Sequence, residues 1–218
     1  MRTWKRYVLC AIWGLMTTMA VAQDSDTLVC HGHLFISGAV PEQVQQRMIG
    51  NSMPKSIPIS FNELRYLTLP YYDFDGNIQV GEMVCNKVIA HDLLVVFRIL
   101  FHFNYPIQSI RLVDDYGADD EASMHANNTS CFNYRYIHGT NILSKHALGR
   151  AVDVNPLQNP WVKGNMTYPS TAVPYRDRTP AFPHKIDQQD LCYRVFKWKG
   201  FVWGGEWRTS KDYQHFQK

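Results

Sequence analysis

The clearest pattern along the chain lies at residues 87–103. Lys87, His91, Arg98 and His102 recur at helical spacing among otherwise apolar positions, which predicts a buried core helix ended by Pro106. Upstream, residues 64–72 and 78–84 are apolar and β-prone. Asp73, Phe74, Asp75, Gly76 and Asn77 separate them, so the pair reads as strand, turn, strand. Residues 107–113, 131–137 and 150–154 read as further strands, with 201–203 and 215–217 closing the sheet. A short helix is expected at 41–48 and another at 188–199, bracketed by Asp187, Asp190 and Gly200. Between them, residues 155–185 hold Pro156, Pro160, Pro169, Pro174, Pro180 and Pro183, six of the eleven prolines, which excludes a regular helix or a central strand. Trp161, Tyr168, Tyr175 and Phe182 give this long loop rigid surfaces for lining a groove.

Composition narrows the class. With 45% hydrophobic and 19% charged residues over 218 positions, the chain is globular and excludes disorder, coiled coil and collagen-like repeats. The net charge of +3 comes from Arg2, Lys5 and Arg6. Without them 19 basic residues face 19 acidic ones, so bulk charge gives no reason to expect a nucleic-acid partner. Residues 1–22 have a basic start, an apolar run over 7–21 and the small-x-small ending Ala20-Val21-Ala22, the pattern of an export signal cut before Gln23. The run is short for a spanning helix, so no stable membrane anchor is expected, and Cys10 lacks the context of a lipidated cysteine. Cleavage leaves Cys30, Cys85, Cys131 and Cys192, an even number expected to be paired or buried as free thiols. Their spacing lacks the short knuckle of zinc-thiolate sites.

Candidate chemistry sits in the C-terminal half. His146 precedes Asp153 by seven residues, with Gly149 and Ala151 between, so a turn followed by a strand brings imidazole and carboxylate toward one point. Zinc accepts both ligand types, and a catalytic zinc takes three protein ligands and keeps one position open. His215 is the natural third, with Asp212 three residues upstream. His31, His33, His91, His102, His125, His138 and His184 read as structural or solvated, and the H-x-H pair at 31 and 33 lacks a supporting carboxylate pattern. The Ser52-Met53-Pro54-Lys55 run matches a serine-peptidase S-x-x-K, but Pro54 suits that helix poorly and no K-T-G follows.

Residues 127–135, 144–156 and 200–217 resemble the D-alanyl-D-alanine carboxypeptidase and L-alanyl-D-glutamate endopeptidase family of zinc peptidases. Its signature, S-x-H-x-x-G-x-A-x-D followed by D/E-x-x-H, is filled at every fixed position. With weaker similarity upstream, the resemblance runs from about residue 61, giving a zinc peptidase domain over 61–218 and leaving 23–60 as an extension of unclear role. The resemblance implies an α+β fold in which a small antiparallel sheet holds zinc on one face and helices pack the other, the Hedgehog/DD-peptidase-like architecture. It implies zinc on His146, Asp153 and His215, Asp212 as general base and Arg135 beside the scissile carbonyl. Ser144, Trp161 and Tyr175 are candidates for substrate contact, and Arg176 or Arg178 for pairing with a substrate carboxylate. Glu206 is a second carboxylate in the same stretch. The implied partners are peptidoglycan stem peptides met outside the cytoplasm by a monomer. A zinc-holding binding module of the same fold is the rival, and retention of Asp212 and Arg135 argues against it.

Overall fold

The computed structural model describes residues 25–137 and 140–218, so the export segment, Cys10 and His138 lie outside the described residues. Two strands, β1 (Asp26–Cys30) and β2 (His33–Gly38), open the fold, followed by helix α1 (Glu42–Met48). Strands β3 (Leu64–Tyr72) and β4 (Ile78–Asn86) form the expected hairpin and lead into α2 (Lys87–His102). Short elements follow: β5 (Ser109–Ile110), α3 (Asp120–His125), β6 (Asn128–Thr129) and β7 (Ala151–Asp153). The chain ends with β8 (Trp161–Lys163), β9 (Met166–Tyr168), α4 (Leu191–Trp198), β10 (Val202–Trp203), β11 (Lys211–Asp212) and β12 (His215–Gln217). Helices and small sheets, mostly antiparallel, make this an α+β structure.

The sheet order β1-β2-β3-β4 places the first two strands in one sheet with the β3–β4 hairpin. β1 and β2 extend the β3–β4 hairpin, and Phe35 is fully buried with Leu67, Leu69, Met83 and Cys85 against the apolar face of α2. Val44 and Met48 of α1 join Leu64, Val84, Leu112 and Phe132 in a second apolar cluster. Such burial, at about 1.5–3 kcal/mol per large side chain, ties this segment to the rest of the chain. Among the described residues, no helix is long and apolar enough to cross a membrane.

Three expectations need correction. Residues 107–113 supply only two strand residues, because Val113–Tyr116 turns into a 3-10 helix. Residues 131–137 form no regular strand; they bond at single points, such as Tyr134 N–H to the Ser52 carbonyl and Phe132 N–H to that of Val84. The proline-rich loop also contains the β8–β9 hairpin and a 3-10 turn over Ser170–Tyr175. The S-x-x-K run has no catalytic geometry, since the buried Ser52 hydroxyl donates to Asp114 at 2.8 Å.

The cysteines follow the second of the two expectations. Cys30, Cys85, Cys131 and Cys192 are all buried free thiols, so the expected pairing into disulfides is not present. Burial pushes the Cys85, Cys131 and Cys192 thiols up, which keeps them protonated and inert. Unfolding in denaturant without reductant should therefore release four alkylatable thiols from residues 25–218. A native protein yielding none under those conditions would contradict this.

Asn86 joins the large sheet to the site half of the molecule. Its side chain accepts from Val88 N–H to cap α2 and donates to the Leu148 carbonyl at 3.1 Å, while its own N–H donates to the Gly149 carbonyl at 2.8 Å. Gly149 has φ +63°, and a Cβ there would lie 2.7 Å from Asn86 N, so only glycine allows this approach. Gly149→Ala should cost about 1–3 kcal/mol by thermal or denaturant unfolding, and an unchanged midpoint would refute the tight docking.

Candidate metal centre

Strands β7 and β12 build the site by alternation. They pair antiparallel with His215 opposite Asp153 and Phe216 opposite Val152. Val152, Val154 and Phe216 point into the core, where Phe216 stacks on Phe196 of α4 at 4.3 Å between centroids. The period of two then sends Asp153, His215 and Gln217 to the other face. His146 arrives from the 3-10 turn His146–Leu148, which ends on left-handed Gly149.

The three side chains converge. Asp153 lies 2.9 Å from His215 Nδ1 and 3.2 Å from His146 Nε2, and the two imidazole nitrogens are 3.1 Å apart. Ligands at about 2.0–2.2 Å in a tetrahedral zinc site stand roughly 3.3 Å from one another. The outer nitrogens are already committed. His146 Nδ1 is 2.7 Å from the Cys131 carbonyl, which can only accept, and His215 Nε2 is 3.0 Å from Gln217 Oε1. With protons there, both inner nitrogens present bare lone pairs to each other and to a carboxylate. Three buried acceptors facing one point suit a cation: this His/Asp/His group could hold a metal ion. Without one, burial works against charge on His215, but its bond to Asp153 and that carboxylate's charge raise it to about 9. Burial likewise works to raise Asp153, and the charges of His146 and His215 outweigh it, holding the carboxyl well below its usual range.

Asp212 stands beside this group on β11, opposite Trp161 of β8. Although the residue as a whole is only partly buried, its Oδ1 is sealed from solvent and has no hydrogen-bond partner. Burial pushes its carboxyl up to about 7; His215 pulls it down, Asp153 raises it and Arg135 lowers it again. Gly204 makes the surrounding turn possible, because a Cβ there would meet the Asp212 carbonyl oxygen at 2.6 Å. Arg135 Nη2 pairs with Asp120 at 2.7 Å, while its buried Nε has no partner.

The candidate substrate residues are spread differently. Ser144 is buried and its hydroxyl accepts from His146 N–H at 3.2 Å, holding the turn. Trp161 is partly exposed next to Asp212 and packs on Tyr168 at 5.7 Å, whereas Tyr175 packs on Phe182 at 5.2 Å. The loop arginines bond within the protein. Arg178 donates to Gln158 O, Asn159 Oδ1 and Ile186 O and lies over the Tyr213 ring at 4.3 Å, so it holds the loop onto the segment before His215. Arg176 is likewise bonded to Asn165 and the Gly164 carbonyl. Glu206 is tied to Tyr193 and Lys197.

Several contributors escaped the sequence reading. Trp207 packs its ring 5.3 Å from that of His215, and the Cys131 carbonyl orients His146. The carbonyl leaves no trace in residue type. Gln217 was visible in principle, two residues from His215 on the same strand face.

Comparison with known proteins bears on this half of the chain. Residues 138–218 match the family model described as D-alanyl-D-alanine carboxypeptidase, a stretch that includes His146, Asp153, Asp212 and His215. The family resemblance carried by the two motifs is thus supported over that span, while Arg135 lies just outside it. No curated protein and no solved structure matches the chain. Replacing Gln217 with Leu should leave the fold intact and weaken metal binding about 10–100-fold in a competition titration. Unchanged affinity would show that His215 needs no such partner.

Proposed function

We propose that the protein is a zinc peptidase that hydrolyses a peptide bond in peptidoglycan stem peptides, acting after export, on a Hedgehog/DD-peptidase-like fold. The observation that carries this is the orphaned carboxylate oxygen of Asp212 beside three converging metal donors, within the stretch that matches a carboxypeptidase family. Three protein donors are the complement of a catalytic zinc. Bound there, zinc supplies a Lewis acid and lowers the pKa of water to about 7.

The protein's own groups account for the proton movements. Asp212, poised near neutrality by its burial, takes the proton of the attacking water on its free Oδ1 and returns it to the departing amine. Arg135, anchored through Nη2 to Asp120, brings its positive charge near Asp212, where it would stabilise the carbonyl oxygen as charge develops. Trp161, partly exposed next to Asp212, offers a flat wall for the peptide. Arg176 and Arg178 already bond within the loop, which favours other groups for recognising a terminal carboxylate.

Two measurements test the reading. Asp212→Asn should bind zinc as the parent does and lose about 10²–10⁴-fold in turnover; parent-like turnover would remove Asp212 from the mechanism. Mass spectrometry of purified muropeptides after incubation should show either release of terminal D-alanine, the reaction named by the matching family, or an internal L-Ala–D-Glu cut. Intact muropeptides with zinc fully bound would favour the binding-module alternative.

A further inference from the structure

A second group of metal donors lies elsewhere in the molecule, where the β1–β2 hairpin meets the end of α2. Cys30 closes β1, His31 occupies the turn, and His102 is the last residue of α2. Their donor atoms all lie within 4.8 Å of one another. His102 Nδ1 is 3.9 Å from Cys30 Sγ and 3.1 Å from His31 Nε2. A late transition ion bound at about 2.3 Å to sulfur and about 2.0–2.1 Å to nitrogen would set such atoms roughly 3.3–3.6 Å apart. The His31 and His102 rings lie stacked at 5.0 Å between centroids, so reaching that geometry takes rotation of these two exposed imidazoles.

Hydrogen bonding alone does not account for the arrangement. Nδ1 of a histidine has either one proton or one lone pair, so His102 Nδ1 cannot satisfy both Cys30 and His31. A cation between the three satisfies all of them. The site is also electrostatically suited to positive charge, since His102 stands at the C-terminal end of a 16-residue helix. His31 adopts φ +48° in the two-residue turn with Gly32, a conformation in which Asn or Gly is the unstrained choice. Cys30 is buried in the core cluster that includes Phe35 and Phe101, whereas His31 and His102 face solvent, which leaves an entry path. His33 is excluded from the group, because its ring packs edge-on against Phe101 at 5.1 Å.

We infer that Cys30, His31 and His102 form a second metal site, separate from the His146 group, for a thiophilic late transition ion, zinc or copper(I). One thiolate and two imidazoles select that class over magnesium or calcium. Bound metal would staple the edge hairpin to the end of the core helix and so stabilise the N-terminal strands.

The test uses the full chain without an affinity tag. Zinc-loaded protein should hold about two equivalents per chain, and His31→Asn, which keeps the turn preference, and His102→Ala should each hold about one. His146→Ala should keep the second equivalent, and His33→Ala should keep both. Cobalt(II) loading separates the sites by spectroscopy, because only the Cys30 group gives a thiolate-to-cobalt charge-transfer band. That band should vanish in Cys30→Ala, His31→Asn and His102→Ala and persist in His146→Ala. Zinc and copper(I) should each bleach the cobalt band, and the one that does so at the lower free-ion concentration is the tighter-bound ion. Absence of the band in the parent protein, or its persistence in His102→Ala, would overturn the site.

Discussion

The site depends on the alternation of two short strands. β7, Val154 just after it and β12 bury Val152, Val154 and Phe216 on one face, and that burial fixes the register in which Asp153 and His215 meet on the other. A slip of one residue would turn both donors into the core and both apolar faces outward, so apolar packing sets the geometry of a polar site. Phe216 ties the pair to the core: it stacks on Phe196, which packs edge-on against Phe97 of α2.

Close backbone approaches do the rest. Gly149 lets the turn bearing His146 rest on Asn86, so the cap of α2 and the placement of a donor are one set of hydrogen bonds. Gly204 does the same for Asp212 on the other side. The resulting cluster of buried histidine and carboxylate groups is costly unless each is paired. Cys131 O and Gln217 meet this need at the outer nitrogens, leaving the inner faces for a cation.

Where apolar periodicity is long and burial is one-sided, the fold could be read before the structure. Helix α2 and the β3–β4 hairpin are of this kind, as is β12 with its His-Phe-Gln alternation. The donor group was legible too, because His146, Asp153 and His215 sit at fixed spacings that a turn and two strands convert into proximity. Other features were hidden for physical reasons. β1 is a five-residue edge strand, too short to show a period, and its pairing with β2 depends on a two-residue His-Gly turn. Residues 131–137 have strand-like composition but find only scattered partners. Arg178 looked available for a substrate, and only the folded loop reveals that both of its Nη groups bond within the protein. Likewise, an even number of cysteines says nothing of their separation, and all four fold away as thiols.

The central claim is that His146, Asp153 and His215 are arranged for a single ion. Anomalous diffraction at the zinc absorption edge, on crystals grown with zinc, tests it most directly. The account predicts a peak bonded to His146 Nε2, a carboxylate oxygen of Asp153 and His215 Nδ1, with a fourth position left to solvent. A zinc-soaked crystal with no peak there, its two imidazoles held to Asp153 by hydrogen bonds alone, would contradict it.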